Sequence, residues 1–437
     1  MSKKAALHNL GCKVNSYELE SAQQQLLAHG YEIVPFAPGA DIYVINTCTV
    51  TNIADRKSRQ MLHKAKKMNP EALVVAMGCY AQVKGKELEL DEAIDVVIGN
   101  NKRGELLELL ERYEATGRKQ EAWVDINRTK VEYEDISIDR TEEHTRAFIK
   151  VQDGCNQFCT YCIIPFARGR VRSRNLLDIV LEVQKLAESG CKEVVVTGIH
   201  VCSYGRDLQD GSDFVTVLKA IDQIDGIERI RLGSLEPGSL TEEVIGEMSK
   251  LQKLCPHFHL SLQSGCDRTL QRMNRKYDTA VFRKVCENLR KYFDDPALTT
   301  DIIVGFPGET EEDFQECRKF VEEIRFFETH IFPYSRREGT KAAAFPDQLP
   351  EAVKKERSKV LLELNRQAGI RYMEKYIAKP IEILVEEMIE KEGKRYWTGH
   401  SAHYHKALIP EEAYAGKKLE NQMVTMIPSE IVDGYLK

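Results

Sequence analysis

Short β-branched apolar runs alternate with stretches of helical periodicity over the first quarter of the chain. ALHNLG, DIYVINT and ALVVAMG have strand character, and NSYELESAQQQLLAHG and ADRKSRQMLHKAKKM have helical character. That repetition predicts a parallel sheet covered by helices over residues 1–112. Residues 113–145 are charged and poorly periodic, which predicts a linker containing an extended stretch. A second alternation starts at Arg146, with RAFIKVQ, KEVVVTGI, ERIRLGS, HFHLSLQ, LTTDIIVG and THIFPYS as strands. Six βα units predict a partial, TIM-like β/α barrel, ending in a long helix from Glu351 and occupying 146–374. Over 375–437 short segments such as PIEILVEEM, RYWTGHS and HKALIPE predict a small antiparallel β-barrel. The fold class is therefore α/β in its first two parts, with an all-β module behind them.

With 437 residues, the chain has room for two to four domains. No apolar run approaches the ~18 residues that a membrane helix needs, and Asn9, Lys13 and Asn15 interrupt the start before a signal-peptide core can form. A cytoplasmic protein is expected, with its 12 cysteines as thiols or metal ligands. The net charge of -6 means that a nucleic acid would have to be met by local basic patches. Two patches qualify. Arg56, Lys57, Arg59, Lys64, Lys66 and Lys67 crowd one helical stretch around a lone Asp55, and Arg168, Arg170, Arg172 and Arg174 alternate in FARGRVRSR. A solvated helix face and a polar loop are the ordinary fate of such runs.

The strongest chemical signal is DGCNQFCTYCIIP, in which Cys155, Cys159 and Cys162 have C-x3-C-x2-C spacing directly after a strand. Three thiolates this close can hold one four-iron cube and leave one iron without a protein ligand. Zinc fits poorly, because the next cysteine, Cys191, lies a helix away from the three. Cys12, Cys48 and Cys79 form a looser set, each directly after a predicted strand and spaced by about one βαβ unit. In an open parallel sheet the carboxyl ends of strands face one crevice, so these three can converge there. Three independent core cysteines are an equally simple reading of the residues alone. Cys191, Cys202, Cys255, Cys286 and Cys317 have ordinary places in strand and helix patterns.

The C-x3-C-x2-C loop after the first barrel strand resembles that of the radical S-adenosylmethionine enzymes. The wider set LGCKVNSYE, NTCTV, MGCYAQ, DGCNQFCTYCIIPFARGRVRSR and FPYSRREGT resembles the methylthiotransferases over nearly the whole chain. The resemblance implies an N-terminal domain with an auxiliary 4Fe–4S cluster on Cys12, Cys48 and Cys79, and a radical S-adenosylmethionine domain with a second on Cys155, Cys159 and Cys162. It also implies a C-terminal TRAM barrel. In such enzymes one S-adenosylmethionine methylates a sulfur held by the auxiliary cluster, and a second yields the radical that activates the substrate. LGCKVNSYE is most similar to the branch that methylthiolates C2 of N6-threonylcarbamoyladenosine at position 37 of tRNA. Alternatives are the branches acting on N6-isopentenyladenosine in tRNA or on a ribosomal-protein aspartate; outside the family, a zinc-containing RNA-binding protein without catalysis.

Cofactor contacts are expected at the carboxyl ends of the barrel strands. The candidates are Thr197, Gly198, Ser234, Glu236, Gln263, Asp301 and Gly305, with Gly308 allowing a further close backbone approach and His200 read as a turn histidine. Tyr161 stands where the family commonly has an aromatic residue near the adenine. The expected partner is a tRNA anticodon stem-loop, met by Arg56, Lys57, Arg59, Arg168, Arg170, Arg172 and Arg174, and by tail aromatics around Tyr396, Trp397, His400, Tyr404 and His405. A reductant such as flavodoxin is also implied; the sulfur donor is unknown from sequence, and no membrane is expected.

Overall fold

The computed structural model describes residues 2–126, 131–141, 145–414 and 416–437. In the first domain β1 (Lys4–Asn9), β3 (Ile42–Thr47) and β4 (Leu73–Gly78) are the three strands expected from the pattern. They are joined by β2 (Glu32–Ile33), β5 (Val96–Ile98) and β6 (Gln120–Ala122) in an all-parallel sheet of order β2-β1-β3-β4-β5-β6. Strands this short carry too little alternation to announce themselves. Helices α1 (Lys13–Ala28) and α4 (Leu106–Thr116) cover one face through Ala22, Leu26, Leu106 and Leu110. Helices α2 (Asn52–Met68) and α3 (Cys79–Leu88) cover the other through Leu62, Ala65, Ala81 and Leu88. The expected linker therefore starts too early, because α4 runs to Thr116 and β6 completes the first sheet. Its later part packs between domains, where Ile136 and Ile138 are buried.

The second domain has the six expected parallel strands: β7 (Arg146–Asp153), β9 (Glu193–Gly198), β10 (Arg229–Leu232), β11 (His257–Gln263), β12 (Ala297–Val304) and β13 (Glu328–Pro333). The short β8 (Arg172–Ser173) pairs antiparallel with the end of β7. Hydrogen bonding divides the arc into β10-β9-β7-β8 and β11-β12-β13, bridged at Leu235 and Leu260. Around it lie α5 (Ile164–Arg168), α6 (Leu176–Glu188), α7 (Phe214–Asp222), α8 (Glu242–Met248), α9 (Asp267–Arg272), α10 (Thr279–Tyr292), α11 (Glu311–Ile324) and α12 (Glu351–Glu374). Capping residues set the helix starts. Thr310 and Asp313 form a reciprocal capping box on α11, and Asn175 accepts from the Leu177 amide on α6.

In the third domain β14 (Ile381–Lys391), β15 (Lys394–Ser401), β16 (Lys406–Pro410), β17 (Met423–Met426), β18 (Ile431–Val432) and β19 (Tyr435–Leu436) form one curled sheet of order β17-β14-β15-β16-β19-β18. It is antiparallel except where β16 meets β19. This sheet sits against the amino ends of the barrel strands. Arg229 donates to the His400 and Glu382 carbonyls, Arg231 donates to those of Ser401 and Ala402, and Tyr404 stacks on His257 at 4.6 Å. The tail aromatics are accordingly core or docking groups rather than an RNA-stacking face: Tyr396, Trp397 and His405 are buried.

The first two domains are held together by buried ions. Glu18 of α1 is paired with Lys150 (2.8 Å), Arg168 (2.7 Å) and Arg103 (3.0 Å), all buried. Tyr17 beside it donates to the Ile136 carbonyl and to Glu182, which also pairs with Arg174. Burial opposes ionisation of Glu18, but Arg103, Arg168 and Lys150 prevail and hold its carboxyl near pH 2. Arg231 likewise holds buried Glu193 near 2. An unfolded chain protonates such groups near pH 4.3, so it binds more protons between these values. Their stabilisation is complete above about pH 4.5 and disappears as pH falls toward 2. Thermal melts followed by circular dichroism are expected to show a midpoint that falls across this window. Glu18→Gln is expected to cost about 3–5 kcal/mol by stranding three cations, and to flatten the pH dependence; an unchanged melt would contradict the role assigned to Glu18.

Candidate functional site

Cys12, Cys48 and Cys79 each follow a strand end, and the close chain passages there depend on glycine. Gly78, at φ 99°, leaves no room for a side chain, since a β-carbon would stand 2.3 Å from Asn46 Oδ1. Gly154, before Cys155, has φ 73°, and its β-carbon would stand 1.9 Å from the Arg170 carbonyl. The sulfurs of Cys12 and Cys79 share one polar cradle. Cys12 donates to Asn15 Oδ1 at 3.4 Å, the same oxygen that accepts from Arg168 at 3.2 Å, while Arg168 Nε lies 3.1 Å from Cys79 Sγ. The Cys48 backbone is pinned by Ser58, and Cys48 lies near enough to Cys79 and Cys12 for their charges to act on its thiol.

Arg168 closes α5, the short helix just after Cys162, so the second cysteine group is built onto the first. Asn100 reinforces the junction, donating to the Ala167 carbonyl at 2.8 Å and lying 3.6 Å from Cys79 Sγ. On the barrel side Arg275 lies 3.3 Å from Cys159 Sγ, pairs with Glu236 at 2.7 Å and donates to the Ser261 carbonyl at 2.9 Å. Burial pushes the thiols up, to about 11 at Cys48 and Cys155 and about 12 at Cys162, and raises Cys12 as well. Without a cation these groups stay protonated near neutrality, whereas metal ligation requires thiolates. Each set supplies three thiol donors in a cradle with cationic side chains, which fits a cluster held by three cysteines.

The expected cofactor residues divide into groups. Thr197, Gly198, Glu236 and Gln263 sit at the carboxyl ends of β9, β10 and β11, with Gln263 in a left-handed turn at φ 71° and Ser234 exposed beside them. Burial raises the Glu236 carboxyl, against the pull of Arg275. Tyr161 packs edge-on against Phe306. His200 is a buried turn histidine held by Ser203 and Gln157, its imidazole lowered to about 4 by burial. Asp301 lies lower on the barrel wall, 3.2 Å from His259 Nε2 and level with His330. The turns at Gly305 and Gly308 bring the backbone against Lys354 and Arg272, so both positions serve internal packing.

The arginine ladder is corrected by burial. Arg168, Arg172 and Arg174 are buried against Glu18, Asp153 and Glu182; of the four only Arg170 is exposed, its guanidinium over the Phe158 ring. Arg56, Lys57, Arg59, Lys64 and Lys67 do lie exposed on α2, while Lys66 pairs with Asp95. The sequence reading missed Asn15, Glu18 and Asn100 in the cradle and Arg275 beside Cys159. The run NSYE directly behind Cys12, with Asn15, Ser16 and Glu18 polar at the start of a helix, was the one available signal.

Comparison with known proteins agrees with this geometry. Residues 149–321 match the radical SAM superfamily, and residues 4–99 match the uncharacterized protein family UPF0004. Threonylcarbamoyladenosine tRNA methylthiotransferase MtaB of Bacillus subtilis (strain 168) is 41% identical over 406 residues, covering 92% of this chain and 90% of its own. The enzyme of the same name from Aquifex aeolicus is 43% identical over 384 residues, covering 88% of this chain and 93% of its own. The chain belongs to the radical S-adenosylmethionine methylthiotransferases. A tRNA-2-methylthio-N(6)-dimethylallyladenosine synthase of Thermoanaerobacter sp. is 35% identical over 437 residues, covering 98% and 92%. Among solved structures, the radical S-adenosylmethionine methyltransferase TsrM of Kitasatospora setae superposes with TM-score 0.57 at 15% identity, covering 76% of this chain and 72% of that one, a likeness of fold. As a family member the chain is a transferase that uses S-adenosylmethionine and two 4Fe–4S clusters.

Arg168→Lys keeps a charge beside Glu18 but loses the guanidinium arm at Cys79. Iron and sulfide analysis of the anaerobic protein is expected to show partial loss, approaching half, with the cluster at Cys155, Cys159 and Cys162 retained by electron paramagnetic resonance. Full retention of both clusters would remove Arg168 from the cradle.

Proposed function

We propose that the chain methylthiolates C2 of N6-threonylcarbamoyladenosine at position 37 of tRNA. The observation that carries the reading is Arg168, which joins the segment behind Cys155, Cys159 and Cys162 to the sulfur of Cys79, so the two cysteine sets adjoin. In this reading Cys155, Cys159 and Cys162 hold one cluster and Cys12, Cys48 and Cys79 hold the other. Bound there, the clusters and S-adenosylmethionine supply reducing power, a carbon-centred radical and transferable sulfur.

The adenine C2–H bond is strong and non-acidic, so general-base catalysis with its typical 10²–10⁴-fold contribution is insufficient. The protein's own task is placement. Glu236, paired with Arg275 and facing the Cys159 side, is positioned to accept from the cofactor's ammonium or ribose, and Tyr161 offers a ring wall for its adenine. The exposed Arg56, Lys57 and Arg59 on α2 and Arg170 beside the Cys155 loop are positioned to meet the phosphates of an anticodon stem-loop. Among the described residues no helix is long and apolar enough to cross a membrane; a cytoplasmic enzyme reduced by a small carrier such as flavodoxin completes the reading.

Nucleoside analysis of tRNA from a deletion strain is expected to show loss of the 2-methylthio derivative and accumulation of threonylcarbamoyladenosine. An unchanged profile would refute the substrate. In the purified enzyme Cys159→Ala is expected to abolish cleavage of S-adenosylmethionine. Cys48→Ala is expected to spare cleavage and stop sulfur insertion, and equal loss of both activities would count against the division between the two sets.

A further inference from the structure

Below the cysteine sets, a cavity of about 400 Å³ lies between the amino ends of the barrel strands and the third domain. Its walls include Lys13, Arg146, Arg231, Glu386, Glu387 and Tyr404. None of the mechanism described above uses it. Its cations are not equivalent. Arg231 is fully engaged by Glu193 and the carbonyls of Ser401 and Ala402. Arg146 is held by Glu386 at 2.8 Å and by His400 at 3.1 Å. Lys13 is exposed on the cavity wall, and its ammonium has no hydrogen-bond or ion-pair partner among the described residues. A cation on the wall of a polar cavity, with no protein partner among the described residues and two already engaged arginines beside it, is available to an anionic ligand.

We propose that this chamber receives the substituent on N6 of the target adenine, with the Lys13 ammonium pairing with that substituent's carboxylate. The inference rests on threonylcarbamoyladenosine being the substrate. Three observations support it. Lys13 directly follows Cys12, so the chamber begins beside the sulfur set that serves C2, and C2 and N6 belong to the same six-membered ring. The volume of about 400 Å³ is at the small end of ligand pockets and has room for a substituent of about ten non-hydrogen atoms. The walls are charged, so a neutral dimethylallyl group would leave Lys13 unpaired, whereas a carboxylate would satisfy it. Glu387, exposed on the same wall, repels a carboxylate and sets an upper limit on the affinity.

The test measures anaerobic binding of the two-cluster enzyme to a fluorescent anticodon stem-loop in three forms: threonylcarbamoylated at position 37, the same with its carboxylate masked as the methyl ester, and unmodified. The wild-type chain is expected to prefer the free carboxylate over the ester by about tenfold or more. Lys13→Gln should reduce that preference to about twofold, Lys13→Arg should restore most of it, and Glu387→Gln should increase it. Iron content is measured on every variant, and should Lys13→Gln disturb the neighbouring cluster, Glu387→Gln, remote from the cysteines in sequence, decides alone. Preference retained in Lys13→Gln, or unchanged in Glu387→Gln, overturns the chamber's role while the enzyme reading stands. A wild-type enzyme that neither prefers nor methylthiolates the modified stem-loop overturns the enzyme reading itself.

Discussion

The structure depends on one buried carboxylate. Glu18 draws Lys150 from the first barrel strand, Arg168 from the loop behind the C-x3-C-x2-C motif and Arg103 from the first domain onto a single point. Separating these charges from water is costly, and the cost is recovered only while all partners are present. The same Arg168 that answers Glu18 reaches Cys79 and Asn15. The relative placement of two domains and the shape of the sulfur cradle are therefore set by one interaction, and neither can relax without the other.

That coupling gives the two cysteine sets different surroundings. The first lies on an open α/β sheet, where strands end in one crevice, and is lined with amide and guanidinium donors. The second lies on a loop over the barrel, with Arg275 tying Cys159 to Glu236 and the end of β11. In both, burial raises thiols, at Cys12 and Cys48 in the first and at Cys155 and Cys162 in the second, so ligation of a metal there would be coupled to proton release. The third domain acts at the opposite end. By supplying carbonyls and stacked rings to Arg229, Arg231 and His257, it closes the barrel's floor and turns an open tube into a chamber.

Much of this was legible in the chain. Short near-continuous runs of β-branched and other apolar residues marked three strands of the first sheet and all six parallel barrel strands, because parallel strands buried on both faces need apolar side chains on both. The cysteine spacings marked the chemistry. What was misread shares a cause. Arg168, Arg172 and Arg174 looked like a basic surface because their partners Glu18, Asp153 and Glu182 lie far away in sequence or on another element. The tail aromatics looked available for bases because the face they dock on, at His257 and Arg231, belongs to another domain.

The chain alone thus determined local periodicity, the places where strands end, and the close spacing of Cys155, Cys159 and Cys162, since each depends on neighbours a few residues apart. Only the tertiary structure decided which charges are surface and which are core, that Asp301 pairs with His259, that Gly305 packs on Lys354, and that Lys13 lines a cavity with Arg146 and Arg231. A charged side chain is equally at home in water or opposite a buried partner, and long-range packing settles which of these it meets.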